Sequence, residues 1–231
     1  MSVVVAFDLD DTLFREWDYV RSGYIAVARE IASVTGANPY RLASVMMIYR
    51  PYGFEEVLRR IEGLKGSDRF SVAGMIESYR AHTPEIRLRK GAAETLEALE
   101  KAGALLVLIS DGSTRHQRAK LKALGLERFF SGERILISEE TGGDKTTDVP
   151  WNLVRERFGE PGSRFFYIGD NLSKDFRLPG MKGWTTVMLR DKERTNVFPQ
   201  RPDDWAPEYR ARLTIDNITD ITDIIKPCLQ L

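Results

Sequence analysis

The sequence predicts an α/β fold in which a parallel β-sheet covered by helices forms the core, with an all-helical domain inserted after the first strand. Two observations predict this class. After residue 84, short apolar runs alternate with amphipathic helical patterns, which is typical of a parallel sheet with helices on both faces. Residues 16–83 contain helical periodicity alone. We therefore expect residues 1–14 and 84–231 to form the core and residues 15–83 to form a helical domain.

The first predicted strand carries the most informative residues of the chain. Residues 3–13 form the sequence VVVAFDLDDTL, an apolar run followed by Asp8, Asp10 and Asp11. Such a run suits a buried strand of a parallel sheet, and acids at its C-terminal end would lie where open α/β sheets bind ligands. Their mutual repulsion requires a proton or a cation, and Mg²⁺ is the usual cation beside phosphate.

The inserted segment predicts four helices. Apolar residues at three- and four-residue spacing mark the first helix, which ends at Gly36. Asn38 followed by Pro39 begins the second helix in the order of a cap and a first-turn proline. The third helix is predicted from Phe54 to Leu64 and the fourth from about Ser71. Four helices without an intervening strand indicate a bundle.

The rest of the chain predicts the alternating elements of the core. Strands are expected at 105–109, 135–137, 165–168 and 185–189, helices at 91–102, 114–124 and 148–158, and a last helix after residue 215. The segment from 190 to 212 is polar and contains three prolines, so we expect an extended surface loop there.

Composition excludes several classes of function. The chain has 231 residues with 34 basic and 34 acidic side chains, so a basic nucleic-acid surface is not expected. A single cysteine, Cys228, fits a reducing compartment. Neither a signal peptide nor a membrane-spanning run is visible. We expect a soluble cytoplasmic protein with no nucleic-acid polymer or membrane as partner.

Polar residues suited to phosphoryl transfer follow several of the predicted strands. Besides the acids after the first strand, these are Ser110 and Asp111, Asp170 and Asp175, and Lys145 in the glycine-rich connection TGGDKTT. In a parallel sheet the strand ends share one edge, so a carboxylate cluster, a hydroxyl and an ammonium should converge. These groups supply a nucleophile, metal ligands and donors for phosphate oxygens. Acids after a strand also cap helices, so the first motif by itself leaves a structural role open.

These four pieces, in this order, resemble the haloacid dehalogenase (HAD) superfamily. DLDDT resembles its first motif, LLVLISDG its second, the Lys145 region its third and YIGDNLSKDF its fourth. The resemblance covers nearly the whole chain and implies a Rossmann-like core, and the segment 15–83 resembles the helical cap of the C1 group. The sequence FDLDDTLFREWDYVRSGYIAVA further resembles a bacterial branch of phosphatases.

The resemblance implies a role for each motif residue. Asp8 would attack phosphorus, and Asp10 would act as general acid and base. Mg²⁺ would bind Asp8, Asp170 and the backbone carbonyl of Asp10. The remaining roles are phosphate binding by Ser110, by the Asp111 position and by Lys145, and orientation of Lys145 or a metal-bound water by Asp175. One departure from the pattern is Thr146, which stands where the third motif usually has proline after its lysine.

The expected function is Mg²⁺-dependent hydrolysis of a small phosphorylated metabolite, a nucleotide or a sugar phosphate, through an aspartyl-phosphate. Alternatives are a phosphomutase or another phosphotransferase, a phospho-acceptor signalling domain of the receiver type, and a catalytically silent binding protein. Asp10 favours phosphate-ester hydrolysis over carbon–halogen cleavage, because dehalogenases of this superfamily lack the second acid. We expect a monomer or a homodimer. The candidates for substrate selection are Arg15, Trp17, Arg50 and Tyr52.

Overall fold

The computed structural model describes residues 2–64, 66 and 68–229. It contains two compact units, a core unit formed by residues 1–16 and 87–231 and a helical unit formed by residues 17–86. Within the described residues, none of the helices combines the length and the apolar character needed to cross a membrane.

The helical unit has its own hydrophobic core. Its helices are α1 (Glu16–Thr35), α2 (Pro39–Ile48), α3 (Gly53–Arg60) and α4 (Val72–Ala81). The Asn38 side chain caps α2 and the Ser71 side chain caps α4, as the cap residues in the sequence predict. The third helix ends earlier than predicted, at Arg60, and residues 62–64 form a separate 3₁₀ turn. Gly63 lies in this turn. Glycine loses more backbone entropy in a helix than any other residue, which disfavours continuation of α3 through this position.

The core unit is built on a six-stranded sheet in which all neighbouring strands are parallel, so the predicted α/β class is confirmed. The strands, in chain order, are β1 (Val3–Phe7), β2 (Leu105–Ser110), β3 (Ile135–Ile137), β4 (Arg164–Gly169), β5 (Thr185–Leu189) and β6 (Leu213–Ile215). Their order across the sheet is β3-β2-β1-β4-β5-β6. The strand that carries the first acidic motif therefore lies in the middle, between β2 and β4.

The position of β1 follows from its sequence. All five of its residues are buried, which explains a continuous apolar run instead of an alternating pattern. Val5 is opposite Leu106 on one side and Phe166 on the other. The three strands therefore end within two residues of one another, and the residues at their ends are brought to one edge.

Among the described residues, six α-helices complete the core unit. They are α5 (Ala92–Lys101), α6 (Thr114–Ala123), α7 (Ser138–Thr141), α8 (Val149–Phe158), α9 (Arg177–Met181) and α10 (Ile221–Leu229). The sequence does not predict α7 and α9, because four or five residues are too few to show helical periodicity. On α8, Trp151 is fully buried and meets the Tyr167 ring edge-on, with 4.9 Å between ring centroids. This packing fixes α8, and with it the connection that contains Lys145.

The segment 190–212 is more than the surface loop that the sequence predicts. It contains two 3₁₀ turns, Pro202–Asp204 and Pro207–Tyr209, and its Asn196 is buried. Two of its polar side chains, Asn196 and Gln200, contact Asp170 at the end of β4, and polar residues of this kind have the same composition as an exposed loop.

Candidate active site

Carboxylates from two neighbouring strands form the centre of the site. Asp8 follows β1 and its backbone N–H donates to Ile168 O at 2.8 Å, which extends the pairing of β1 with β4. Asp170 follows β4, and Asp175 lies one turn further along the chain. One carboxylate oxygen from each of these three acids lies within 4.8 Å of the others, and all three side chains are buried.

Lys145 supplies a buried positive charge to this cluster. Its Nζ lies 2.7 Å from Asp8 Oδ1 and 2.6 Å from Asp175 Oδ1, and its side chain is 1% exposed. Burial opposes the charge, but the carboxylates of Asp175 and Asp8 prevail and raise the pKa of Lys145 well above its ordinary value. The backbone is held as well, since Trp151 Nε1 donates to Lys145 O at 3.2 Å.

Asp175 is occupied by four donors. Its Oδ2 accepts the backbone N–H groups of Asp170 at 3.0 Å and Asn171 at 2.8 Å. Its Oδ1 accepts the Tyr167 hydroxyl at 3.1 Å and pairs with Lys145. A Cβ at position 169 would collide with this carboxylate, which explains the glycine there. Asp175 therefore holds the turn after β4 and contacts Lys145.

The remaining acids fit a hard cation. Burial raises the pKa of Asp8 to about 7, against the lowering effect of Lys145. Burial, and then the neighbouring charges of Asp175 and Asp8, raise the pKa of Asp170 well above its ordinary value. One lysine thus does not offset the negative charge gathered here. Carboxylate oxygens are the ligands that such cations prefer, and Asp175 has the least free capacity, so Asp8 and Asp170 are the acids suited to a metal ion.

Ser110 and Asp111, at the end of β2, have different environments. The Ser110 hydroxyl is buried, and no described residue forms a hydrogen bond with its Oγ. A buried hydroxyl without a partner is costly, so this atom is suited to an oxygen of a ligand. The Asp111 carboxylate instead accepts a hydrogen bond from the backbone N–H of Lys145 at 3.1 Å and forms an ion pair with Lys174 Nζ at 3.0 Å. If position 111 contacts phosphate, the backbone N–H of Asp111 would therefore be the group that binds it, because the side chain has other partners.

Asp10 faces α6. Its Oδ1 lies 2.6 Å from Lys120 Nζ, and its Oδ2 accepts Gln117 Nε2 at 3.1 Å. The sequence does not single out Lys120, because helical periodicity does not reveal that this position faces the first motif. No local signal identifies it.

Asp11 has a supporting position. Its φ of 55° lies in the left-handed region, and its side chain is buried. The carboxylate accepts the backbone N–H of Glu16 at 2.9 Å and that of Val197 at 2.7 Å. It therefore connects the first turn of α1 and the segment 190–212 to the motif, while its neighbour Thr12 donates to Asp8 Oδ2 at 3.2 Å.

Three further residues at the site have no signal in the sequence. Asn196 Nδ2 donates to Asp170 Oδ2 at 2.8 Å, and Gln200 Nε2 donates to Asp170 O at 2.9 Å. Arg89 donates to Asp11 O at 2.6 Å and to Asn196 Oδ1 at 3.2 Å. Amides in a polar, proline-containing segment resemble ordinary loop residues, and only the folded chain brings them to the acids.

The four candidates for substrate selection have exposed side chains. Arg15, in the core unit, forms an exposed ion pair with Glu193 at 2.7 Å. In the helical unit, the guanidinium of Arg50 lies 4.9 Å from the centre of the Trp17 ring, and Tyr52 is 68% exposed. These three side chains of the helical unit present aromatic and cationic surface.

A protein-family model for haloacid dehalogenase-like hydrolases matches residues 3–177. A curated ribulose-1,5-bisphosphate 5-phosphatase from Halopiger xanaduensis is 31% identical over 147 residues, which are 64% of this chain and 60% of that protein. The chain thus spans less than two thirds of that relative. A glyceraldehyde 3-phosphate phosphatase from Methanopyrus kandleri is 26% identical over 236 residues, covering 98% of both chains.

Solved structures share the fold. The HAD-hydrolase YfnB from Bacillus subtilis, bound to magnesium, superposes with a TM-score of 0.64 at 18% identity, covering 97% of this chain and 98% of that chain. At this identity the similarity concerns the architecture, and it includes both units of the chain.

The acid cluster predicts how the stability of the metal-free protein depends on pH. The pKa of Asp8 is about 7 in the fold against an ordinary value of 3.8. The folded state therefore holds this proton more tightly, so the group stabilises the fold at low pH and loses that contribution as pH rises through about 7. We expect the Tm of EDTA-treated protein to fall from about pH 4 to about pH 7 and to level off above that, because only between these values does the folded state hold a proton that the unfolded state has lost. Mg²⁺ at about 100 times its Kd should raise the Tm by roughly 5–10 °C at the higher pH.

Differential scanning calorimetry over this pH range provides the measurement. Asp8→Asn is the matched control, because an amide of the same shape cannot ionise, so the fall in Tm with pH should become shallower. A Tm with the same pH dependence in both proteins would show that Asp8 does not titrate in this range.

Proposed function

Because this chain belongs to the haloacid dehalogenase-like hydrolases, we propose that it is a Mg²⁺-dependent phosphatase that hydrolyses a small phosphate ester through an aspartyl-phosphate on Asp8. The observation that carries the proposal is the contact between Asp8 and Lys145, with 2.7 Å between Oδ1 and Nζ. A carboxylate can attack an anionic phosphate only where positive charge offsets the repulsion, and this lysine is held beside it.

The chemistry divides between two acids. Asp8 attacks phosphorus and the bond to the leaving oxygen breaks, so that one difficult displacement becomes two easier ones. Asp10 gives a proton to the departing alcohol and later takes one from the attacking water. Lys145 and the Ser110 hydroxyl would hold phosphate oxygens and stabilise their charge in the transition state.

The cation would be held by Asp8, Asp170 and the backbone carbonyl of Asp10. When bound, Mg²⁺ would supply Lewis-acid stabilisation of the phosphoryl charge. The support for it is the excess of buried negative charge at Asp8 and Asp170. Asn196 and Gln200 would keep Asp170 in place, since they donate to its carboxylate and its carbonyl.

The substrate class is a small phosphorylated sugar or a related metabolite. Two relatives are named as phosphatases of glyceraldehyde 3-phosphate and of ribulose 1,5-bisphosphate, and both compounds are sugar phosphates. A nucleotide, and phosphoryl transfer to a second substrate, are the alternatives. A receiver-type signalling domain is disfavoured, because such domains carry the acceptor aspartate on a later strand and lack a helical insertion of this size.

We further propose that the helical unit selects the substrate, as a cap domain of the C1 type, and that Arg50 and Tyr52 distinguish leaving groups. Their exposure leaves them available for a ligand. A cytoplasmic location and a monomeric or homodimeric state also remain proposals, with the single cysteine in favour of a reducing compartment.

The first test is a metal-dependent screen. Purified protein is offered glyceraldehyde 3-phosphate, ribulose 1,5-bisphosphate, a nucleoside monophosphate and p-nitrophenyl phosphate, and released phosphate is measured. We expect activity to fall to background in EDTA and to return with Mg²⁺. Full activity in metal-free buffer would contradict the proposed metal site, and no hydrolysis of any phosphate ester would contradict the function.

The second test separates the two acids. Asp8→Asn should abolish turnover and the covalent intermediate, because an amide is a poor nucleophile. Asp10→Asn should keep attack on aryl phosphates, whose leaving groups need little protonation, and should lose roughly 10²–10⁴-fold on alkyl phosphates. Rapid-quench measurement of enzyme phosphorylation reports the rate of attack by Asp8. Equal losses of this rate on aryl and alkyl phosphates in Asp10→Asn would contradict the proposed roles of the two acids.

The third test concerns selection by the helical unit. Arg50→Ala and Tyr52→Ala should change the ranking of phosphate esters, while kcat/KM for p-nitrophenyl phosphate stays within about threefold, since the reacting groups are untouched. Arg41→Ala and Tyr40→Ala are matched controls, because both residues are exposed and lie on α2. If both test variants keep the parental ranking, these residues do not select the substrate.

A further inference from the structure

One face of α6 is directed at the proposed general acid. Gln117 and Lys120 lie three residues apart on this helix, so their side chains share a face. Lys120 Nζ lies 2.6 Å from Asp10 Oδ1, and Gln117 Nε2 lies 3.1 Å from Asp10 Oδ2. Each oxygen of the carboxylate thus has its own partner, although Asp10 itself retains 20% side-chain exposure.

Both partners are themselves held in place. Lys120 has a side-chain exposure of 6%, and its Nζ lies 5.9 Å from the centre of the Phe14 ring. Gln117 Nε2 also donates to Asp111 O at 2.6 Å. A Cβ at Gly112 would approach Gln117 Nε2 to 2.7 Å, so glycine at that position leaves room for the amide.

This placement is hard to explain by stability alone. A buried lysine is uncommon, and burying an ion pair gains little over apolar packing of the same volume. Asp10 is also short and partly exposed, so without partners its carboxylate could adopt several rotamers. Two directional contacts on its two oxygens restrict it to one orientation, and a misplaced catalytic group costs up to about 10²-fold in rate.

We propose that Lys120 and Gln117 are positioning residues that orient the Asp10 carboxylate for proton transfer. The proposal rests on the proposed phosphatase function and deepens it, since it assigns two residues outside the motif that carries the acid. They act through Asp10 and touch neither phosphorus nor the leaving group.

The test compares leaving groups. The ratio kcat/KM covers the steps up to departure of the alcohol, so it reports proton donation for alkyl phosphates and little of it for p-nitrophenyl phosphate. Lys120→Met should lower kcat/KM about 10- to 100-fold on the alkyl ester and less than about threefold on the aryl ester. Lys120→Arg, which keeps the charge and the donors, should restore part of the loss.

Controls separate positioning from general effects. Lys122→Met, on the same helix but exposed, should match the parent protein on both esters. Gln117→Met provides a second variant, with the same expected split between esters, if Lys120→Met lowers the Tm so far that it cannot be assayed. Equal losses on both esters would instead indicate attraction of phosphate by the lysine or a change of fold, and would overturn the proposal.

A double substitution tests whether the loss of kcat/KM in Lys120→Met depends on Asp10. In an Asp10→Asn background, Lys120→Met should cost less than about twofold further on the alkyl ester, because the group that it orients is already gone. Losses that multiply would overturn the proposal. If the parent protein hydrolyses neither ester, the function fails; if it hydrolyses both and Lys120→Met matches it, only the positioning role fails.

Discussion

The ammonium group of Lys145 lies between two buried carboxylates, and the other parts of the site are arranged around that contact. Its Nζ pairs with Asp8 on one side and with Asp175 on the other. Removal of one partner of a buried pair leaves an uncompensated charge and typically costs 3–5 kcal/mol. Asp175 in turn accepts the backbone N–H groups at the start of the turn after β4. The same lysine therefore supports the proposed nucleophile and the strand end that carries Asp170.

The site contains more buried carboxylates than buried ammonium groups, which is the feature that suits it to a cation. Burial raises the pKa of Asp8 and Asp170, and Lys145 offsets only part of the negative charge. Asn196 and Gln200 contribute hydrogen bonds and no charge. The segment 190–212 thus holds Asp170 in place without neutralising its charge. The negative charge of the site can therefore still attract a metal ion or the hydrogen-bond donors of a ligand.

The sequence predicts those features of the site that depend on neighbouring residues in the chain, namely the strands and the polar residues at their ends. The strands are continuous apolar runs, and their ends carry Asp8, Ser110 and Asp170, so the parallel topology alone places these residues at one edge. The sequence does not predict the partners that reach the edge from elsewhere. Lys120 resembles any charged residue of an amphipathic helix, and Asn196 resembles any amide of a polar loop. Their contacts depend on how helices and loops pack against the sheet, and a single sequence carries no periodic signal for that.

The place of β1 in the sheet has a consequence for the order in which the protein can form during synthesis. Of the six strands of the sheet, β1 is synthesised first, yet both of its neighbours, β2 and β4, come from the chain after residue 104. Lys145 pairs with Asp8 across a separation of 137 residues. The helical unit, with its own hydrophobic core, ends at residue 86, before either neighbouring strand begins. A nascent chain therefore carries an apolar strand ending in acids without its neighbours until β2 and then β4 have been made, and the centre of the sheet closes only after residue 169 has been synthesised.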